Sequence, residues 1–388
     1  MIAQFECPQR SWRSPSSLQP SKPRSVSPIR KPRNYDPTLH LVTIDLDQSQ
    51  QPSPVHRLPP EVVTEIFLQY IPHYPHRPRL RDFEESPLAL TGICGRWRKI
   101  ALSSPILWKA VEIAESAYTT DEDRLTQLIK MFLNRSGSST LSIELAGPAR
   151  NYLVGAILPY MNRVEHFKTS ATQSILAALE GKLTEVITLE ISGYTTGFGA
   201  SYPVALLKNT SKVQFLSLDS ISLISREMHI SLQGAVPWNQ LHSLALTSFA
   251  FQTCYRILQY TPNLSFCWLE IPANASTNTG SIWLPHLKAL VLEISLPPLP
   301  DVFLDMFTLP ALERLQTETH LLQWNLRDQL QGLLERSRYG LKELRIVAES
   351  TVMKPQMVLD DLQSIVPHME VVDYKPTSSK LAWPERLA

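Results

Sequence analysis

From residue 164 onward the spacing of apolar residues repeats. An apolar position, two residues, a second apolar position, one residue and, in most copies, a third begin at Val164, Val186, Val213, Leu241, Leu264, Leu287, Leu312, Leu341 and Met369, the 312 and 369 copies ending in Thr317 and Tyr374. Successive starts lie 22, 27, 28, 23, 23, 25, 29 and 28 residues apart. VQFLSL, LHSLAL, LKALVL and LKELRI are examples, each alternating as a half-buried strand does. Helical patterns precede them, as in CYRILQY and LRDQLQGLLERS, and a proline commonly separates helix from strand, at Pro159, Pro237, Pro262, Pro285, Pro310 and Pro367. A unit of helix, break and strand cannot bury its apolar face alone, so stacked neighbours must do it. The spacing predicts a solenoid over 141–376, with an ordinary α/β domain of parallel strands as the alternative.

Upstream the period becomes helical. In LPPEVVTEIFLQYI the apolar residues Leu58, Val62, Val63, Ile66, Phe67, Tyr70 and Ile71 recur at helical spacing. Pro60 suits a first turn, and Ile71-Pro72 ends the helix. A second run carries Leu88, Leu90, Ile93, Cys94, Trp97, Ile100 and Ala101 on one face and Arg96, Arg98 and Lys99 on the wet one. Ser104-Pro105 breaks it, and Leu107-Trp108 follows. Between the two runs PHYPHRPRLRDFEES reads as an exposed loop insertion. TTDEDRLTQLIKMFLNRSG then predicts a bridging helix, with Thr120 and Asp123 as a capping-box variant and Leu125, Leu128, Ile129 and Phe132 buried.

The ordered pieces LPPEVVTEIF, Ile93-Cys94 with Trp97, Ile100-Ala101, Ser104-Pro105 and Leu107-Trp108 together resemble the F-box, in wording closest to those of mushroom-forming fungi. The insertion at Pro72 to Ser86 departs from a minimal F-box. The resemblance implies binding to the Skp-type adaptor that links a substrate receptor to a cullin-RING ubiquitin ligase. Leu58 and Pro59 would pack on the adaptor, with Val62, Ile66, Cys94 and Trp97 lining the shared core. The downstream period resembles that of leucine-rich repeats, roughly 20–29 residues, although no Asn occupies their ladder position. The fold expected is α+β: a disordered Ser/Pro/Arg-rich tail (1–54), a small helical F-box (55–112), a helical linker (113–140), an irregular α/β leucine-rich-repeat-like solenoid (141–376) and a C-terminal tail (377–388).

In such a repeat, strand positions one, four and six face the core and positions three, five and seven the opposite side of the sheet. Position seven lines up Ser192, Asp219, Thr247, Glu270, Glu293 and Glu318; position five includes Trp268, and position three Phe215 and Phe266. Phe215, Asp219, Phe266, Trp268, Glu270, Glu293 and Glu318 are the candidate substrate-binding residues, a groove for a basic segment with an apolar anchor. Equally, the carboxylates keep an exposed sheet soluble and a loop covers Trp268. The loop from Ile271 to Ile282 is a further candidate surface.

Composition narrows the classes. A net charge of +1 over 388 residues argues against nucleic acid as partner. Cysteines at 7, 94, 254 and 267 form neither CxxC pairs nor a dense framework. The opening MIAQFECPQRSW lacks the pattern of a secretory signal, and no apolar run is long enough to span a membrane. The basic cluster Arg24, Arg30, Lys31 and Arg33 leaves a nuclear address open. GxSxG, GxxxxGK[ST] and HExxH are absent. His73 and His76 lack a third ligand, and Asp121 to Asp123 and Asp360-Asp361 read as exposed helix charges. The expectation is a non-catalytic receptor without cofactor or metal, in cytoplasm or nucleus, capturing an unknown protein substrate. An F-box scaffold working outside a ligase is the alternative; a hidden hydrolase is a third reading.

Overall fold

The computed structural model describes residues 54–72, 76–81, 84–114, 121–148, 150–171, 173–193, 210–219, 237–249, 251–271, 280–294, 303–318, 326–338, 340–349, 356–366 and 368–374. The tails expected at 1–54, apart from Pro54, and at 377–388, His73 and most of the loop from Ile271 to Ile282 lie outside this set. The chain divides into two compact units, Met1–His56 and Arg57–Ala388, and the elements named below belong to the second.

Three helices come first: α1 (Pro60–Tyr70), α2 (Pro87–Ile93) and α3 (Gly95–Ser103). Pro60 fixes φ in the first turn of α1, where its missing N–H has no partner to lose. The second apolar run is two helices rather than one. Cys94 is extended (φ −156°, ψ 166°), and its Sγ takes the Trp97 N–H at 3.4 Å, capping α3. Helix α4 (Glu122–Arg135) is capped by Asp121, whose carboxylate accepts from Arg124 N at 2.9 Å; Thr120 lies outside the described residues. Past its end Gly137 adopts φ +58°, the left-handed turn that glycine makes at least cost.

Strands β1 (Ala110–Ala114), β2 (Leu141–Pro148), β3 (Val164–Ala171), β4 (Thr188–Gly193), β5 (Phe215–Asp219), β6 (Ser243–Thr247) and β7 (Phe266–Ile271) follow, with α5 (Asn151–Ile157), α6 (Gln173–Leu179) and α7 (Phe251–Leu258) between them. Then come β8 (Ile282–Trp283), β9 (Ala289–Ile294), β10 (Phe307–Thr308), β11 (Arg314–Glu318), α8 (Leu326–Arg336), β12 (Glu343–Glu349), α9 (Gln356–Ile365) and β13 (His368–Tyr374). Eleven strands form one parallel sheet in chain order, and β8 pairs with β10 apart from it. The chain is thus mixed helix and strand, with the parallel sheet of a stacked repeat.

A shared hydrogen bond marks the repeat. The carbonyl of Gln214 accepts from both His242 N and Ser243 N, that of His242 from Ser265 N and Phe266 N, and that of Ser265 from Lys288 N and Ala289 N. Lys288 and Glu313 continue the series. Behind the sheet, positions four and six supply buried layers such as Leu216, Leu244, Cys267, Leu290, Leu315 and Leu344, in register across neighbouring strands. Each fully buried leucine stabilises the stack by about 1.5–3 kcal/mol.

Two registers differ from the sequence pattern. Met369 pairs with Leu344, so the last repeat starts at Val366, three positions earlier. The sheet also begins upstream of residue 141, with β1. The strand β1 buries Val111 and Ile113, and β2 buries Leu141, Ile143 and Leu145. This plain alternation lacks the two-residue gap of the repeat motif.

Cys254 on α7 and Cys267 on β7 are fully buried, and burial pushes both thiols up, Cys254 to about 12. The unfolded chain ionises them near the ordinary 9.0 while the folded chain keeps them protonated. Stability from this source is present below that value and falls as pH rises above it. Urea midpoints should therefore drop between pH 8 and 10, and less so in Cys254→Ala; an equal drop in that variant would refute the assignment.

Candidate functional site

Two surfaces stand out. The first is the outer side of α1. Val63 and Phe67 point inward at 0% exposure, while Val62, Ile66 and Tyr70 are each 44% exposed. The two stripes are one residue apart, a rotation of about 100°. The sequence pattern had merged them into one apolar face. Ile93 is 57% exposed, and Leu102 and Ile106 are exposed as well. Scattered apolar residues on a surface are ordinary, but a helix with one apolar stripe packed and the next exposed presents a contiguous apolar surface of the kind that marks interaction sites.

The other candidates sit around this stripe. Leu58 is half-buried, and its carbonyl accepts a hydrogen bond from the Arg96 guanidinium. Pro59 is exposed, and its carbonyl starts α1 by accepting from Val63 N at 3.1 Å. Trp97 is half-buried, with its ring edge-on to Phe67 at 5.0 Å between centroids. Cys94 is half-buried and is occupied in capping α3. Val62 and Ile66 lie outside the chain's own core. Thr64 Oγ1 and Ser104 Oγ, 3.2 Å apart, tie α1 to the end of α3.

Among the described residues of the segment between α1 and α2, exposed positions alternate with buried ones. Leu80 is 2% exposed, Ser86 0%, and the Arg77 side chain 2%. Arg77 donates to Ser142 Oγ at 2.8 Å and pairs with Glu144 at 3.1 Å. Ser86 caps α2 by accepting from Leu88 N. No periodic signal marks these residues, so a sequence reading passes over them.

The second surface is the sheet face opposite the helices. Register makes Asp219 the lateral neighbour of Thr247, whose hydroxyl donates to it at 2.7 Å, and sets Glu270 beside Glu293. Trp268 lies between Ala245 and Val291, and Phe266 between Ser243 and Ala289. The aromatic and acidic residues are therefore brought together as the alternation required. Their exposure is different. Phe266, Trp268 and Glu293 are only 4%, 3% and 6% exposed, and Ala245, Phe266, Trp268, Ala289 and Val291 form a second apolar cluster. Alternation decides which face a side chain takes, not whether that face meets water. These three are therefore buried rather than open groove residues. Asp219 is exposed, and Phe215, Glu270 and Glu318 are half-buried.

Burial reverses one expectation about charge. Substituting Glu293→Lys should destabilise the fold by about 2–3 kcal/mol, because a cation replaces a buried carboxylate in fixed surroundings. Lys at the half-buried Glu270 should cost clearly less. Thermal melts of both variants check this, and equal tolerance would show that the middle of the face is open.

On the same face, nearer β1, burial lowers the pKa of His166, with Glu165 opposing and Arg77 and Lys109 adding to the shift. Its imidazole is accordingly neutral at pH 7. Among the described residues no group of three or more His, Cys, Asp or Glu is placed to hold a metal ion, and no helix is long and apolar enough to cross a membrane.

No protein-family model and no curated protein matches the sequence. Among solved structures, a chain in the crystal structure of the Rad7 and Elc1 complex in yeast superimposes with a TM-score of 0.35 at 12% identity. The match covers 65% of this chain and 75% of that one. Likeness at that level assigns neither fold nor role.

Proposed function

We propose that this chain is a substrate-recognition subunit of an SCF-type cullin-RING ubiquitin ligase. Helices α1 to α3 act as an F-box that docks on a Skp-type adaptor, and the leucine-rich-repeat-like sheet holds a protein substrate. The observation that carries the reading is the bare stripe Val62, Ile66 and Tyr70 on a helix whose inner stripe is fully packed. The order of the F-box-like pieces along the sequence supports it independently.

The mechanism is proximity. Holding the substrate near the charged conjugating enzyme raises the effective concentration of its lysines. Covalent chemistry then belongs to the partners, and the chain acts in cytoplasm or nucleus without a cofactor.

Mixing the full-length chain with its host's Skp-type adaptor and separating the products by size tests the docking half. A stoichiometric complex supports the reading. A folded chain that elutes alone at micromolar concentrations rejects it.

A further inference from the structure

We propose that the segment Arg77–Leu80, inserted between α1 and α2, clamps the docking helices to the first strands of the sheet, with Arg77 as its positioning residue. The roles of the two surfaces rest on the reading above; the clamp itself rests on geometry.

Strand β1 ends the sheet on the N-terminal side, and an open edge there would leave backbone groups unpaired. The inserted segment pairs with that edge at its middle residue. Residue Arg79 forms a parallel bridge with Glu112, in which Glu112 N donates to Pro78 O at 2.9 Å and Leu80 N to Glu112 O at 2.9 Å. Arg79 also pairs with the Glu112 carboxylate at 3.3 Å.

Arg77 reaches past β1 altogether. It holds Ser142 and Glu144 on β2, and the other oxygen of Glu144 binds Lys168 on β3 at 2.9 Å. A guanidinium buried this deeply has no water to replace those partners, so any swing of the helices away from the sheet strands a charge. At its far end the same insertion is fastened to α1, where Glu85 N donates to the Tyr70 hydroxyl at 3.0 Å. One insertion is therefore bonded to the docking helix on one side and to the sheet on the other. A free surface loop needs neither bond. The consequence is a fixed angle between the adaptor and whatever the sheet holds, which limits the volume a substrate lysine explores.

The test uses the full-length chain. Hydrogen exchange is read at the Leu80 and Glu112 amides, and single-molecule energy transfer between dyes on genetically encoded residues at Lys99 and Glu180. Adaptor affinity is measured on unlabelled protein. Wild type should show slow exchange and a narrow transfer distribution. In Arg77→Ala, exchange at both amides should quicken about tenfold or more and the distribution should broaden, while adaptor affinity stays within about twofold of wild type.

Unchanged exchange and width in Arg77→Ala would overturn the clamp. So would a parallel loss of adaptor affinity, because Arg77 would then serve the docking fold itself. If Arg77→Ala does not fold, the double variant Arg77→Met with Glu144→Met removes both charges and is judged by the same two outcomes. A wild-type chain that ignores the adaptor rejects the docking reading but leaves exchange and energy transfer to decide the clamp.

Discussion

Replacing Val62 and Ile66 together by Glu should abolish adaptor binding while leaving the chain as stable as wild type. Both side chains are 44% exposed, so their loss opens no cavity. Surface changes of this kind fall within about 0.5 kcal/mol each. Glu is also a better helix former than Val or Ile, which offsets part of any loss. At an interface the balance inverts. Each apolar anchor is worth about 2 kcal/mol when central, and a carboxylate forced into its place without a partner adds to that penalty. Together these predict a loss of about a thousandfold or more in affinity.

Calorimetric titration of adaptor, paired with a melting curve, reads both halves. The neighbouring variant Val63→Glu is the control, since Val63 is 0% exposed and a charge there should unfold the chain. If the double variant melts early, the stripe is packed rather than bare. Should it fold and still bind, the adaptor docks elsewhere and the F-box reading of α1 fails.

The contrast between Val62 and Val63 marks the limit of what the chain's pattern could tell. Helical spacing identified α1 and its apolar positions apart from Leu68, because periodicity reports secondary structure strongly. It could not separate a stripe packed within the chain from one left for a partner, since both are apolar. The repeat was legible for the same reason: positions one, four and six are fixed by the sheet's alternation and by stacking. Strand β13 was misplaced by three residues because Met369 begins a spurious copy of the motif, whereas its core positions follow from pairing with Leu344. Trp268 shows the complementary failure. Its face follows from the alternation, but its burial, among Ala245, Phe266, Ala289 and Val291, does not. Arg77 was missed because a polar segment rich in proline reads as loop, and only its partners on β2 show that it is structural.

Trp108 rather than Trp97 should be the residue on which the stability of the helical segment turns. The sequence offered both rings, and Trp97 carries the stronger resemblance to the F-box pattern. Trp97 is half-buried and meets Phe67 edge-on, so Trp97→Ala should cost about 2 kcal/mol, less than the ~3–5 kcal/mol of a fully buried ring. Trp108 is 0% exposed, lies edge-on to Phe132 of α4 at 5.0 Å, and has the Arg135 guanidinium 4.6 Å from its ring. Its indole N–H donates to Ala101 O at 2.9 Å. Trp108→Ala therefore leaves a cavity, removes one of the two hydrogen bonds that the Ala101 carbonyl accepts at the end of α3, and leaves a cation without its ring. The cavity costs about 3–5 kcal/mol, and the lost hydrogen bond about 1 kcal/mol more. Against a total stability of about 5–15 kcal/mol, that brings the chain close to unfolding. Because the ring joins α3 to α4, urea unfolding followed by circular dichroism should show helix and sheet weakening together. Adaptor binding should then fail through unfolding, whereas in the Val62 and Ile66 variant it fails without it. A Trp108→Ala chain no less stable than Trp97→Ala would mean that the helices fold independently of α4, and that the sheet does not depend on them.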